Sequence, residues 1–246
     1  MSLPSEPEHL SKHERIQAID LVRGVDIVLM VLFNYSVTLS YFGIIQAQPD
    51  FLYWHVFPIS IASIFIFLSG AAARISFESH KEGFGKRYFT RGLKLLIFAV
   101  FITLFTSIFV PEGTIYFGIL HFFAASSFLV PLFIKYNRLN QVAGLSIVAA
   151  GFYLQQTEFN FSYLFWLGFM PRSFSTFDYF PLIPWLGVLL LGVYSGEYIA
   201  GRTANIRFKN RLAGRFIFLG KNSLTVYLVH QPILIIILLA LGFRLF

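Results

Sequence analysis

Cysteine is absent from all 246 residues, and charge is scarce: Asp, Glu, Lys and Arg together make up 13% of the chain. The first absence excludes disulfides, thiolate catalysis and cysteine-based metal centres. The second argues against an ordinary soluble domain, in which roughly 25% of residues are charged. Acids are the scarcer sign, 12 against 19 bases, and a net charge of +7 would suit a nucleic-acid partner if the bases were clustered for one. Apolar residues fill the remainder: 57% of the chain is hydrophobic, with 31 Phe and 12 Tyr, and the mean hydropathy is +0.70. Lipid-facing surfaces and interfacial aromatic belts need that composition.

Apolar runs near the ~20 residues that cross a bilayer predict an all-α, polytopic membrane bundle of about seven helices, at approximately 17–41, 54–77, 90–110, 115–134, 139–155, 178–199 and 219–243. Residues 1–15 read as an uncleaved, charged cytoplasmic leader without a signal-peptide core, and 16–246 as a single transmembrane domain. Lys12 and Arg15 precede the first run, Lys81, Lys86 and Arg87 follow the second, Lys135 and Arg138 follow the fourth, and Arg202, Arg207, Lys209, Arg211 and Arg215 follow the sixth. The alternate connections hold only Arg172, and the C-terminal end holds Arg244. This positive-inside alternation puts the N-terminus in the cytoplasm and the C-terminus outside. The basic excess is then a topology signal, and nucleic acid is not expected as a partner. The outer connection 156–177 contains an apolar stretch, Phe161–Met170, too short to span and read as interfacial or re-entrant.

The first helix, "LVRGVDIVLMVLFNYS", carries Arg23, Asp26 and Asn34, with Asp20 just before. Ionisable groups at membrane depth are costly and usually face a protein interior or watery cavity. At about 100° per residue, Arg23 and Asn34 lie about 20° apart, and Asp20, Asp26 and Thr38 fall within about 60° of Arg23. The helix thus carries a polar stripe rising about 16 Å from Arg23 to Asn34. Further polar residues fall in or beside other spans. They are His55 and Arg74 around the second, Arg91 and Lys94 in the third, His121 in the fourth, Asp178 at the sixth, and Ser223, Tyr227 and His230 on one face of the seventh. Each has a bland reading: Asp20, Arg23 and Asp26 could neutralise one another, Asn34 could be helix–helix glue, and His55 beside Trp54 suits an interface. The loop "SHKEGFGKR" lacks P-loop spacing. Gly70, Gly118 and Gly187 read as close-contact positions.

Five segments together carry a resemblance: "RIQAIDLVRGVDIVLMVLFNYS", "FIFLSGAAARISF", "IYFGILHFFAASSFLVPLF", "DYFPLIPWLGVLLLGVYSGEY" and "LGKNSLTVYLVHQP". In that order they resemble the heparan-α-glucosaminide N-acetyltransferase-like family and, more distantly, the wider membrane acyltransferase group. The resemblance covers most of residues 15–235. It implies a multi-helix enzyme passing an acetyl group from cytoplasmic acetyl-CoA to an acceptor on the far side, typically a sugar. Arg23-Gly24 matches the family's first-helix Arg-Gly, Asn34 its polar residue eleven positions on, His121 the "GILH" of prokaryotic relatives, and Asn222, Ser223, Tyr227 and His230 the last-helix motif. Two departures stand out. The position eleven after Asn34, a catalytic histidine in the lysosomal enzyme, is Ile45 here, and Asp26 replaces a small apolar residue.

On that resemblance, Arg23, Arg74, Arg87 and Arg91 are the expected ligands of the CoA phosphates, because guanidinium grips phosphate bidentately. Asn34 is expected to stabilise the oxyanion. His121 is the expected general base, with His230 and His55 as alternatives, and Asp178, Tyr227 and Ser223 are expected on the acceptor side. Acetyl-CoA is the expected co-substrate and no metal is expected. A glycan or other small acceptor and the lipid bilayer are the expected partners, a homo-oligomer is compatible, and the setting is a prokaryotic cell membrane. A small-solute transporter or channel lined by the same residues is the rival reading, and the absence of inverted repeats weighs against it.

Overall fold

The computed structural model describes residues 16–46, 50–172 and 174–242. The leader with Lys12 and Arg15, and the terminal Arg244, lie outside the described residues. Helix makes up 76% of the described residues, and no strand occurs among them. In order it forms α1 (Gln17–Tyr41), α2 (Phe57–Ser79), α3 (Phe84–Phe109), α4 (Ile119–Phe133), α5 (Asn137–Leu154), α6 (Leu182–Thr203), α7 (Arg211–Lys221) and α8 (Ser223–Ala240). A π-helical turn, Leu52–Val56, leads into α2. Asp50 caps it, its carboxylate accepting from the Leu52 and Tyr53 N–H groups at 2.8 and 3.2 Å, as a helix start with orphan donors requires.

All seven expected runs fall on helices, but they are not equal. Among the described residues, three helices are long and apolar enough to cross a membrane: Leu52–Ser79, Phe84–Phe109 and Leu182–Thr203. The last expected run, 219–243, is broken. At Asn222 the chain bends by 84° between α7 and α8, and this bent pair would make a fourth span. The Asn222 side chain donates to the Phe218 carbonyl at 2.9 Å, capping α7 at the break. Polar residues interrupt α1, and α4 and α5 are short, at 15 and 18 residues. The connection between α5 and α6 is mostly irregular, with one short 3-10 turn, Phe165–Leu167, and Phe159 bonded to Met170 and Arg172 through the backbone.

α2 and α6 form the centre, with α5 against α6, α3 against α4, and α1 against α2, α7 and α8. Ile66, Leu95, Ala99, Phe122, Phe123, Leu189 and Val193 make the core between α2, α3, α4 and α6. The outward side of α3 is apolar, Ile97, Phe101 and Ile108 being exposed, as lipid demands and water does not. Glycine allows the central approach. A Cβ on Gly70 would overlap the Leu189 carbonyl, and one on Gly192 the Phe67 carbonyl. Without a hydrophobic drive between helices in lipid, such close backbone packing supplies much of the association.

Gly70→Ala should therefore lower the melting midpoint in detergent, at a cost of about 1–3 kcal/mol for overpacking. Gly214→Ala, where a Cβ meets nothing within 4 Å, should be neutral or stabilise by up to about 1 kcal/mol through helix propensity. Equal effects at the two positions would contradict the packing.

Candidate active site

The stripe on α1 faces the bundle. Asp20, Asp26 and Thr38 are buried, whereas Val25 and Leu32, on the other side of the helix, are exposed. At the N-terminal end of the stripe the Arg23 guanidinium donates to Ser69 Oγ on α2 at 3.0 Å and lies over the Phe65 ring, 5.7 Å from its centroid. Asp26 sits in the field of Arg23, and neither of its carboxylate oxygens has a hydrogen-bond partner among the described residues.

Beyond Ser69 lies a small cavity of about 10 Å³, where Ser69, Tyr88, Arg91, Ser126 and Ser127 meet the apolar Ala73, Phe123, Val130 and Leu189. That volume holds about one water. Ser126 and Ser127 donate to the Phe123 carbonyl at 3.2 and 2.6 Å, and Ser69 to Phe65 at 2.8 Å. Their oxygens therefore keep lone pairs for the cavity, while Arg91 supplies donors. The Arg91 guanidinium lies over the Tyr88 ring at 5.5 Å, and the charges of Arg91, Arg23 and Arg87 all act on the Tyr88 hydroxyl. Arg91 also borders a groove of about 650 Å³ lined by Lys86, Arg87, Thr90, Lys94 and the apolar Leu95, Phe98 and Leu224. Arg91 thus borders both the basic groove and the buried cavity.

The C-terminal end of the stripe is built where α1 meets α8. Tyr35 donates to the His230 carbonyl at 3.2 Å, and Gln231 donates through Nε2 to Thr38 Oγ1 at 2.7 Å. Thr38 passes its proton to the Asn34 carbonyl at 2.9 Å, and the Asn34 amide rests on the Met30 sulfur at 3.0 Å. A thioether is a weak acceptor, so that amide is easily taken up by a stronger one. His230 Nδ1 is 2.6 Å from the Tyr227 carbonyl. A carbonyl can only accept, so Nδ1 carries the hydrogen and Nε2 the lone pair.

His121 is held the opposite way. Its Nδ1 accepts from the Gly118 N–H at 3.3 Å, closing the start of α4, and its Nε2 lies 3.2 Å from Thr103 Oγ1. Thr103 gives its own proton to the Ile115 carbonyl at 2.6 Å. It must therefore accept from Nε2–H, and both ring nitrogens of His121 are occupied. Asp178 caps the same helix, its Oδ2 accepting from the Ile119 N–H at 2.9 Å. Gly118, read from sequence as a helix-contact position, instead makes room for this carboxylate, which a Cβ there would strike. The Asp178 charge acts in turn on the Tyr227 hydroxyl.

Two groups of the expected residues are thus brought together: Arg23 with Arg91 around Ser69 and Tyr88, and His121, Asp178 and Tyr227 around the start of α4, while His230 lies one turn along α8 from Tyr227, against Tyr35 of α1. Others stand apart. Arg74 is an ion-pair centre, bonded to Glu197 at 3.1 Å, to Glu78 at 3.0 Å and to the Ile134 carbonyl. Arg87 borders the groove, but its guanidinium donates to the Glu82 and His80 carbonyls of the α2–α3 turn. His55 is exposed and stacked on Phe51 at 5.1 Å. Ser223 is buried at the α7–α8 bend, about 10 Å along the helix from His230. Sequence reasoning did not single out Ser69, Tyr88, Ser126, Ser127, Tyr35, Thr103 or Gln231. Hydroxyls within apolar helices were the available signal.

A helical bundle with membrane-length apolar helices and a buried polar seam is an integral membrane protein with an internal site. The chain belongs to the family described as heparan-alpha-glucosaminide N-acetyltransferase, catalytic, whose model matches residues 15–232, the family that its motifs resemble. Its class is accordingly that of a membrane acetyltransferase. No curated protein and no solved structure matches the chain.

Asp178, in the connection before α6, offers a test of the cluster at the start of α4. Burial pushes its carboxyl up to about 6 from the ordinary 3.8, the Ile119 N–H pulling partly the other way. Because the folded value is the higher one, the folded state holds an extra proton between those values, and stability falls as pH rises through about 4 to 6. Asp178→Asn keeps an oxygen for Ile119 and carries no charge. It should flatten that slope and melt higher than the unsubstituted protein at pH ~8, by an amount of order 2 kcal/mol. A variant with an unchanged slope, or one that melts lower at that pH, would contradict this placement.

Proposed function

We propose that the chain transfers an acetyl group from acetyl-CoA, entering from the cytoplasmic side, to a hydroxyl or amine of a glycan or other small acceptor on the outer side. Residues 16–246 would act as one domain of seven spans, the seventh being the broken α7–α8 pair. Its N-terminus would be cytoplasmic and its C-terminus outside, as the alternation of Lys and Arg favours.

The observation that carries this reading is the α3 groove. Its volume, about 650 Å³, lies within the roughly 300–1,000 Å³ of ordinary ligand sites. Lys86, Arg87, Arg91 and Lys94 offer cations for phosphate and diphosphate groups, and Leu95, Phe98 and Leu224 offer an apolar wall. Arg91 is the best placed of them, because a phosphate that recruits it draws it away from the cavity toward the α1 stripe. Arg74, committed to two carboxylates, is the poorest candidate of the four arginines first considered.

At the outer end, His230 is the better base because its Nε2 keeps its lone pair, whereas His121 spends both nitrogens on α4 and Thr103. The acceptor's oxygen or nitrogen attacks the thioester carbonyl carbon as His230 takes its proton. The new C–O or C–N bond forms, and the carbonyl oxygen, now negative, receives the Asn34 amide in place of the Met30 sulfur. The C–S bond then breaks, the electron pair leaves on sulfur, and the proton held by His230 passes to that thiolate. Asp178 and Tyr227 would position the acceptor beside His230.

Acetyl-CoA should stabilise the purified protein saturably, by about 2.7 kcal/mol at 100 times its dissociation constant. Arg91→Ala should weaken that binding at least about tenfold, as loss of a charged hydrogen bond does. Acetate and ATP serve as controls. His230→Ala should abolish transfer with binding retained, while His121→Asn should lower it less. No stabilisation by millimolar acetyl-CoA, or solute flux in vesicles without it, would contradict the reading in favour of a transporter.

A further inference from the structure

α7 lies outside the core of the site, yet it is the most two-faced helix of the chain. Ala213, Phe216, Ile217 and Gly220 recur at i, i+3, i+4 and i+7 and turn inward, Ile217 and Gly220 being buried. This face meets α1 backbone to backbone. A Cβ on Gly24 would overlap the Phe216 carbonyl, and one on Gly220 the Asp20 carbonyl. The opposite face carries Arg211, Arg215 and Phe218, also at i, i+4 and i+7 and all exposed. They fall within about 60° of one another at 100° per residue. Lys221 is exposed at the end of the helix and Lys209 just before its start. From residue 198 to 246 the sequence contains no Asp or Glu. The carboxylate of Asp20, whose backbone meets Gly220, is buried.

An exposed Phe one turn beyond Arg215 and one turn before Lys221, on a helix bent 84° from the apolar helix that follows, has the form of an interfacial element. Its ring enters the acyl boundary while its guanidinium groups reach the headgroups. A topology signal alone requires only bases in a loop. It requires neither an ordered helix that places them on one face around an aromatic side chain nor a glycine-tight seat for that helix. We infer that the Arg211–Arg215–Phe218 face of α7 binds the headgroups of anionic phospholipids in the inner leaflet, the bases supplying the charge complement. Because Gly24 and Gly220 lock α7 to α1 directly beside Arg23, the bound lipids hold the inner end of the polar stripe in register. The inference rests on the topology proposed above, not on the transfer reaction, and its test reads no acetylation.

The test uses full-length Phe218→Trp protein in vesicles of zwitterionic and anionic phospholipid, with bromine on the acyl chains of one class at a time. The unsubstituted protein in the same lipids gives the background from Trp54, Trp166 and Trp185. The tryptophan at 218 should be quenched, and brominated anionic lipid should be enriched at least about fivefold over zwitterionic lipid, the equivalent of a single surface base at about 1 kcal/mol. The double substitution Arg211→Gln, Arg215→Gln should remove the preference but leave the quenching. On the single variant, 1 M salt, with its Debye length of about 3 Å, should do the same without further substitution. Absence of quenching, equal quenching by the two lipid classes, or displacement of the preference by millimolar inorganic phosphate would each overturn the inference.

Discussion

Within a hydrocarbon layer a guanidinium has no bulk water to turn to, and the arrangement of this bundle follows from where α1 puts Arg23. The side chain must find acceptors on another helix, and it finds Ser69, whose own proton is committed to the Phe65 carbonyl. α2 must therefore lie against α1 at that height, and Gly70, next in sequence, brings α6 onto α2 at the same level. The serines of α4, together with Tyr88 and Arg91 of α3, complete a polar interior around that point. Buried polar groups are expensive unless satisfied, so a stripe of them on one helix dictates which neighbours it accepts.

The same logic separates the two histidines. An imidazole offers one donor and one acceptor, and its chemistry depends on which of them the fold consumes. At His121 the fold consumes both, to close the start of α4 and to hold Thr103. At His230, among the described residues, it consumes the donor alone, one turn back along α8. The residue better placed to accept a proton is the one whose helix leaves a lone pair unspent. Asn34 follows a similar rule, its amide resting on a sulfur that competes poorly for it.

Much of this was legible in the chain. The polar stripe on α1 followed from spacing alone, because 3.6 residues per turn fixes which side chains share a face once the helix exists. The family was legible from five segments in order. The break at Asn222 was not, although Gly220, Asn222 and Ser223 are terminator and cap residues, because the apolar run beyond them outweighed the local signal. Arg74 was read as a phosphate ligand. Its partner Glu78 was visible at i+4, but Glu197, 123 residues away, was beyond any local pattern. Hydrogen-bond direction at the histidines was hidden for a different reason: it depends on atoms the fold supplies, a carbonyl in one case and a threonine from another helix in the other.

The central claim is that one seam joins a basic groove on the cytoplasmic side to a base and an oxyanion donor nearer the outer side. Oriented proteoliposomes test it most directly, with radiolabelled acetyl-CoA added at the groove face and a mixture of amino and neutral sugars trapped within. The account predicts that labelled acetyl groups accumulate on lumenal sugar while free CoA appears outside, and that neither occurs with His230→Ala. Label confined to the outer compartment, or entry of intact acetyl-CoA into the lumen, would contradict it.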